Sequence, residues 1–111
     1  MEDFYEQFDN VEEVWFWFCA SERIRLEGGQ ARREYKNSIP RIIEVADIKR
    51  ILSRMRRNRQ INNRELRTMY RWGGIGCSPY YHKRAKNSEI RMWEKSLKTL
   101  EVYLKTIGAI R

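Results

Sequence analysis

The sequence predicts an all-α fold of four main helices, with a helix-turn-helix-like central pair packed between an aromatic N-terminal helix and a long C-terminal helix. Three observations carry this. Apolar residues recur at helical spacing in four segments, no segment alternates as a half-buried strand would, and only six Gly and two Pro punctuate 111 residues. The chain is 41% hydrophobic, with four Trp, six Tyr and four Phe, too much apolar material for disorder even at 34% charge. That length suits a single domain over residues 1–111.

The first helix runs from about Val11 to Leu26, behind a lead-in holding Phe4, Tyr5 and Phe8. Asn10 caps it, Glu12 and Glu13 sit favourably in its first turn, and Gly28-Gly29 ends it. At about 100° per residue, Val11, Val14, Trp15, Phe18 and Leu26 share one face, while Phe16, Trp17 and Ile24 point elsewhere. Most of VWFWFC belongs to the core. The second face, Phe16, Trp17 and Ile24, is what an isologous homodimer interface would supply.

Residues 30–40 show no period and read as a connection. The second helix runs from about Val45 to Asn58, with an apolar stripe of Val45, Ile48, Ile51, Leu52 and Met55 and with Arg50, Arg54 and Arg57 on an opposing face. It leads into RMRRNRQINNRELRTMYRWG, residues 54–73, where seven arginines meet one acid, Glu65. An unbroken helix would bury Asn62 and Asn63 in its interior, where Asn competes for backbone hydrogen bonds. Asn62 with Glu65 instead makes a capping box, and Ile61 can staple to Leu66. A turn near Arg59 to Asn62 follows. The third helix then covers Asn63 to Trp72 and stops at Gly73-Gly74, with Leu66, Met69 and Tyr70 opposite Arg64, Arg67 and Arg71.

The loop GGIGCSPYYH cannot be regular throughout. A fourth helix, for which Ser88 is one possible start, extends to about Thr106. Its stripe is Ile90, Trp93, Leu97, Leu100 and Leu104, Lys86, Lys95, Lys98 and Lys105 are solvated, and Gly108 closes it.

Charge is polarised along the chain. Residues 1–30 hold eight acids against Arg23 and Arg25, whereas residues 41–84 hold twelve bases against Glu44, Asp47 and Glu65, within a net charge of +8. This suits a polyanion-binding face whose far side repels the polyanion. Cys19 and Cys77 cannot form a disulfide framework, residues 2–9 are acidic where a signal peptide would be basic then apolar, and the longest apolar run, residues 14–20, is too short for a membrane span. A cytoplasmic location is expected.

Enzymatic constellations are nearly absent. His82 is the sole histidine, and with Cys77 and Cys19 it falls short of zinc ligand sets or an oriented nucleophile pair. Gly73, Gly74 and Gly76 follow a helix, where phosphate-cradling loops follow a strand. No catalysis, metal, cofactor or small-molecule substrate is expected. The helix-turn-helix-like unit over residues 45–72 points to non-catalytic binding of double-stranded DNA, with transcription regulation as its use. Asn62, Asn63, Arg64 and Arg67 would reach base edges, since Asn pairs with adenine and Arg with guanine. Arg50, Arg54, Arg57 and Arg71 would contact the backbone phosphates. One alternative is a protein-interaction adaptor docking through the aromatic helix, the SPYY loop or the basic face. RNA binding is a second alternative, weakened because most aromatics fall on apolar faces, Tyr80, Tyr81 and Trp72 being candidate exceptions.

The segments WFWFCASERIRLEGGQ, DIKRIL, REL..MYRWG and E.RMW...LKTLE.YLKTIGAI resemble a family of small basic helical proteins of alphaproteobacteria. The resemblance spans most of residues 14–110 and implies the same four-helix division and a bacterial cytoplasm. No activity is attached to that family. Members similar to this chain usually carry a proline-rich loop after the third helix, where this chain has CSPYYHKR.

Overall fold

In a computed structural model that describes residues 7–26 and 43–111, four α-helices follow one another: α1 (Val11–Leu26), α2 (Val45–Arg57), α3 (Asn63–Ile75) and α4 (Asn87–Thr106). A 3-10 turn at Pro79–Tyr81 joins the last two. Among the described residues no strand forms, and one isolated bridge pairs Phe8 with Ile110. The expectations for Phe4, Tyr5, the Leu26 side chain, the Gly28-Gly29 stop and the connection at 30–40 fall outside the described residues.

Each helix start is written in local hydrogen bonds. Asn10 Oδ1 accepts from the Glu13 amide at 2.9 Å, as its capping role requires. At the next three starts an acid in the third helical position reaches back to the amide before the helix: Asp47 to Glu44 at 2.7 Å, Glu65 to Asn62 at 3.0 Å and Glu89 to Lys86 at 3.1 Å. Asn62 completes its box by accepting from the Glu65 amide at 2.8 Å.

The ends of α2 and α4 share one device. Behind α4, Gly108 at φ 76° lets Ala109 donate to the Leu104 carbonyl at 2.9 Å and Gly108 itself to Lys105 at 3.1 Å. Behind α2, Arg59 at φ 56° does the same, with Gln60 donating to Met55 at 2.8 Å and Arg59 to Arg56 at 3.1 Å. The expected turn between the central helices is present.

Helix α3 differs from expectation at its end, running through Gly73 and Gly74 to Ile75 and closing on Gly76 at φ 82°. Gly73 serves packing instead. A Cβ there would lie 2.4 Å from Cys19 Sγ and 2.6 Å from Trp15 Nε1, so its absence lets α3 press onto α1. The approach also lets Trp15 Nε1 donate to the Met69 carbonyl at 2.8 Å.

Val14, Trp15 and Phe18 of α1 are fully buried with Ile48 and Met55 of α2, Met69 of α3, and Leu100 and Leu104 of α4. Helix α3 packs chiefly on α4 and α1, and α2 rests on both of those more than on α3. The central pair is therefore held by its flanking helices, which also touch each other.

The second apolar face of α1 finds partners within the chain. Phe16 stacks on Trp93 at 5.8 Å between ring centroids, and Trp17 lies 5.3 Å from Phe8, leaving both half-buried, as is Ile24. Phe8 is itself pinned to the end of the chain, donating to Ala109 at 3.0 Å and accepting from Arg111 at 3.0 Å. Phe16 and Trp17 thus have intrachain partners on the face expected to supply a dimer interface.

Candidate functional site

The basic unit is built from the second half of α2, the turn at Arg59, and the first two turns of α3. Because the apolar stripes of both helices face α1 and α4, the arginines are left outward. Arg54, Arg56, Arg57, Arg59, Arg64 and Arg67 are all exposed, and their side chains make no ion pair with any other described residue. On α2, Lys49, Arg50, Ser53, Arg54 and Arg57 line an open groove of about 230 Å³. Two of its cations are partly neutralised: Lys49 Nζ lies 2.8 Å from Glu22 Oε1, and Arg50 is hydrogen-bonded to Asp47.

The expected site residues do not form one equivalent set. Asn63, Arg64 and Arg67 sit exposed at the start of α3. Asn62 is exposed too, and its side-chain oxygen accepts from the Glu65 amide, which ties that side chain to the start of α3. Arg71 is drawn toward the scaffold, with Nη1 3.5 Å from Glu89 Oε2 and its guanidinium 5.7 Å from the Trp72 ring. Arg54 and Arg57 keep free charges; Arg50 shares its own with Asp47. Sorting by helix face overlooked Arg56 and Arg59. The signal for Arg59 was present in the sequence: a turn between two helices with no glycine must give its left-handed position to another residue.

Glu65 holds this site in place. It is 6% exposed, accepts from Lys95 Nζ at 2.7 Å and caps Asn62. Burial pushes its carboxyl pKa up, but the hydrogen bonds from Lys95 and the Asn62 amide outweigh that and hold it below the usual value. Lys95, exposed as expected, also ties α4 to the start of α3 through this pair. Glu89 is likewise held low, mainly by the Lys86 amide and further by Trp72 Nε1, which donates at 3.3 Å. Asp47 is held low by the Glu44 amide and Arg50.

The remaining reactive groups are engaged locally. Cys77 Sγ donates to the Ser78 carbonyl at 3.3 Å, and His82 Nδ1 accepts from the Arg84 amide at 3.1 Å while its ring meets Trp72 edge-on. Burial pushes the Cys19 thiol up to about 12, against the opposing pull of Arg23, so it stays protonated. Trp72 is 2% exposed and offers no stacking platform, whereas Tyr80 and Tyr81 are 66% and 78% exposed. Among the described residues no group of three or more His, Cys, Asp or Glu side chains gathers as a metal would need, and no helix is long and apolar enough to cross a membrane. Comparison with protein families, with curated proteins and with solved structures found no match.

Proposed function

We propose that the chain is a non-catalytic, regulatory DNA-binding protein that grips duplex DNA through residues 45–72. The observation that carries this reading is the run of six exposed arginines across the end of α2, the turn and the start of α3, none ion-paired with a described residue, because Glu65, the acid among them, is buried and taken by Lys95. Like charges so crowded repel one another, and a polyanion relieves that repulsion while releasing its own counterions. Asn63, Arg64 and Arg67 are assigned to base edges, Arg54, Arg56 and Arg57 to phosphates. Arg50 and Arg71 contribute less, because Asp47 and Glu89 already share their charge. Asn62 is assigned to positioning α3.

The test is a binding titration with Arg64→Ala and Arg67→Ala combined. Each lost bidentate contact costs about 1–3 kcal/mol at a preferred site, so the double variant loses more affinity for a selected duplex than for random duplex. Equal losses on both would reduce the two arginines to backbone contacts.

A second reading, a protein-interaction adaptor, is favoured by one feature. Tyr80 and Tyr81 project from a 3-10 turn anchored by buried Pro79 and by the Ser78 hydroxyl, which accepts from the Tyr80 amide at 3.3 Å. Exposed tyrosines on a fixed loop suit protein contacts. A partner retained after nuclease treatment and lost with Tyr80→Ala and Tyr81→Ala would support it.

A further inference from the structure

Three described helices end on a residue in the left-handed region, and the chain uses glycine at two of them, Gly76 and Gly108. At the third, between α2 and α3, it uses Arg59, the one non-glycine residue of positive φ among those described. The hydrogen bonds around Arg59 repeat those around Gly108, so the backbone demand is the same at both places. An L-residue meets that demand with its Cβ close to the following carbonyl oxygen, a cost glycine avoids.

Two structural roles could keep an arginine at such a position, and neither fits. A cation near the C-terminus of a helix complements its dipole, but Arg54, Arg56 and Arg57 already fill the last turn of α2. An ion pair could hold it, but its side chain makes none with the described residues. The main chain on either side is fixed. Gln60 donates to Met55 and accepts from the Tyr103 hydroxyl, Ile61 is 4% exposed, and the Asn62 box starts α3.

We propose that Arg59 is a phosphate contact at the centre of the DNA-binding face, kept as arginine at the expense of turn stability because its guanidinium engages the nucleic-acid backbone. The proposal rests on the DNA-binding reading and adds a residue to it. The fixed turn carries this exposed charge in the connection between the arginines of α2 and those of α3. Strain retained where the chain could use glycine is the mark of a residue selected for its side chain.

The experiment compares Arg59→Gly, Arg59→Ala and Arg59→Lys with the parent chain, by melting temperature and by duplex affinity across salt. Arg59→Gly melts higher, by roughly 1–4 °C, yet binds roughly three- to tenfold more weakly, with a salt slope shallower by about one. Arg59→Ala loses the same affinity without the gain in melting temperature, and Arg59→Lys stays within about twofold of the parent because an ammonium still meets a phosphate. A glycine variant that binds like the parent overturns the proposal and leaves the DNA reading standing. A glycine variant that melts lower shows a structural role and overturns it too. If the parent itself does not bind duplex, the DNA reading fails and Arg59 falls with it.

Discussion

Replacing Gly73 with alanine tests whether α3 and α1 are in the close contact described, and hence whether the arginine face is rigidly mounted. The added Cβ would lie 2.4 Å from Cys19 Sγ and 2.6 Å from Trp15 Nε1. Both distances fall about 1 Å or more short of ordinary contact at about 3.5–4.0 Å. Neither neighbour is free to give way: Cys19 is 8% exposed, and Trp15 is fully buried and donates to Met69 at 2.8 Å. Overpacking costs about 1–3 kcal/mol, and displacing the buried indole hydrogen bond adds about 1–3 kcal/mol. Better helix propensity returns about 1 kcal/mol. The net loss is about 1–5 kcal/mol, a fall in melting temperature of roughly 4–20 °C. Gly74 is the control. A Cβ there meets only Arg23 Nη2 at 3.8 Å, so Gly74→Ala keeps its propensity gain and stabilises by about 0.5–1 kcal/mol. Thermal and urea unfolding of the two variants should differ in sign. A Gly73→Ala protein as stable as the parent would refute the close approach of α3 to α1.

Acid should weaken the protein through the carboxylates that start its helices. Glu65, Glu89 and Asp47 are held below their ordinary pKa values in the folded chain, so their contribution is fully present above the ordinary carboxylate range, near pH 4–5, and is lost as pH falls through the lowered values. Glu65→Gln, followed by urea unfolding between pH 3 and 7, should make that acid limb shallower; an unchanged limb would remove Glu65 from the explanation. Asn62→Ala, which deletes the other half of the same box, should cost about 1 kcal/mol at neutral pH and leave the limb in place.

What the sequence discloses is whatever depends on a few neighbouring residues. The Asn10 cap, the Asn62–Glu65 box, the turn at Arg59 and the closure at Gly108 are hydrogen-bond patterns within one turn of chain, and they stand where spacing placed them. Gly73-Gly74 misled because glycine has two uses, and only the position of Cys19 and Trp15 across the helix pair shows that Gly73 serves packing. The same limit applies to the aromatic helix. Its second face looked unpartnered because Trp17 is met by Phe8, folded back from the lead-in, and Phe16 by Trp93 of another helix.

The candidate site was legible to the same degree. Outward arginines follow from helical periodicity, but Arg71 differs from Arg67 only through Glu89, a tertiary neighbour eighteen residues on in the chain. Asn62 is a different case. Its use as a cap was legible from the spacing to Glu65 alone, because that bond closes within one turn of chain.

The most direct test of the arginine face is selection of bound sequences from a random duplex library at about 50 mM salt with roughly micromolar protein. The predicted result is an enriched short site containing guanine, whose preference is relaxed when Arg64 and Arg67 are replaced by alanine. A pool that stays random, with no duplex retained, would contradict DNA binding by this face.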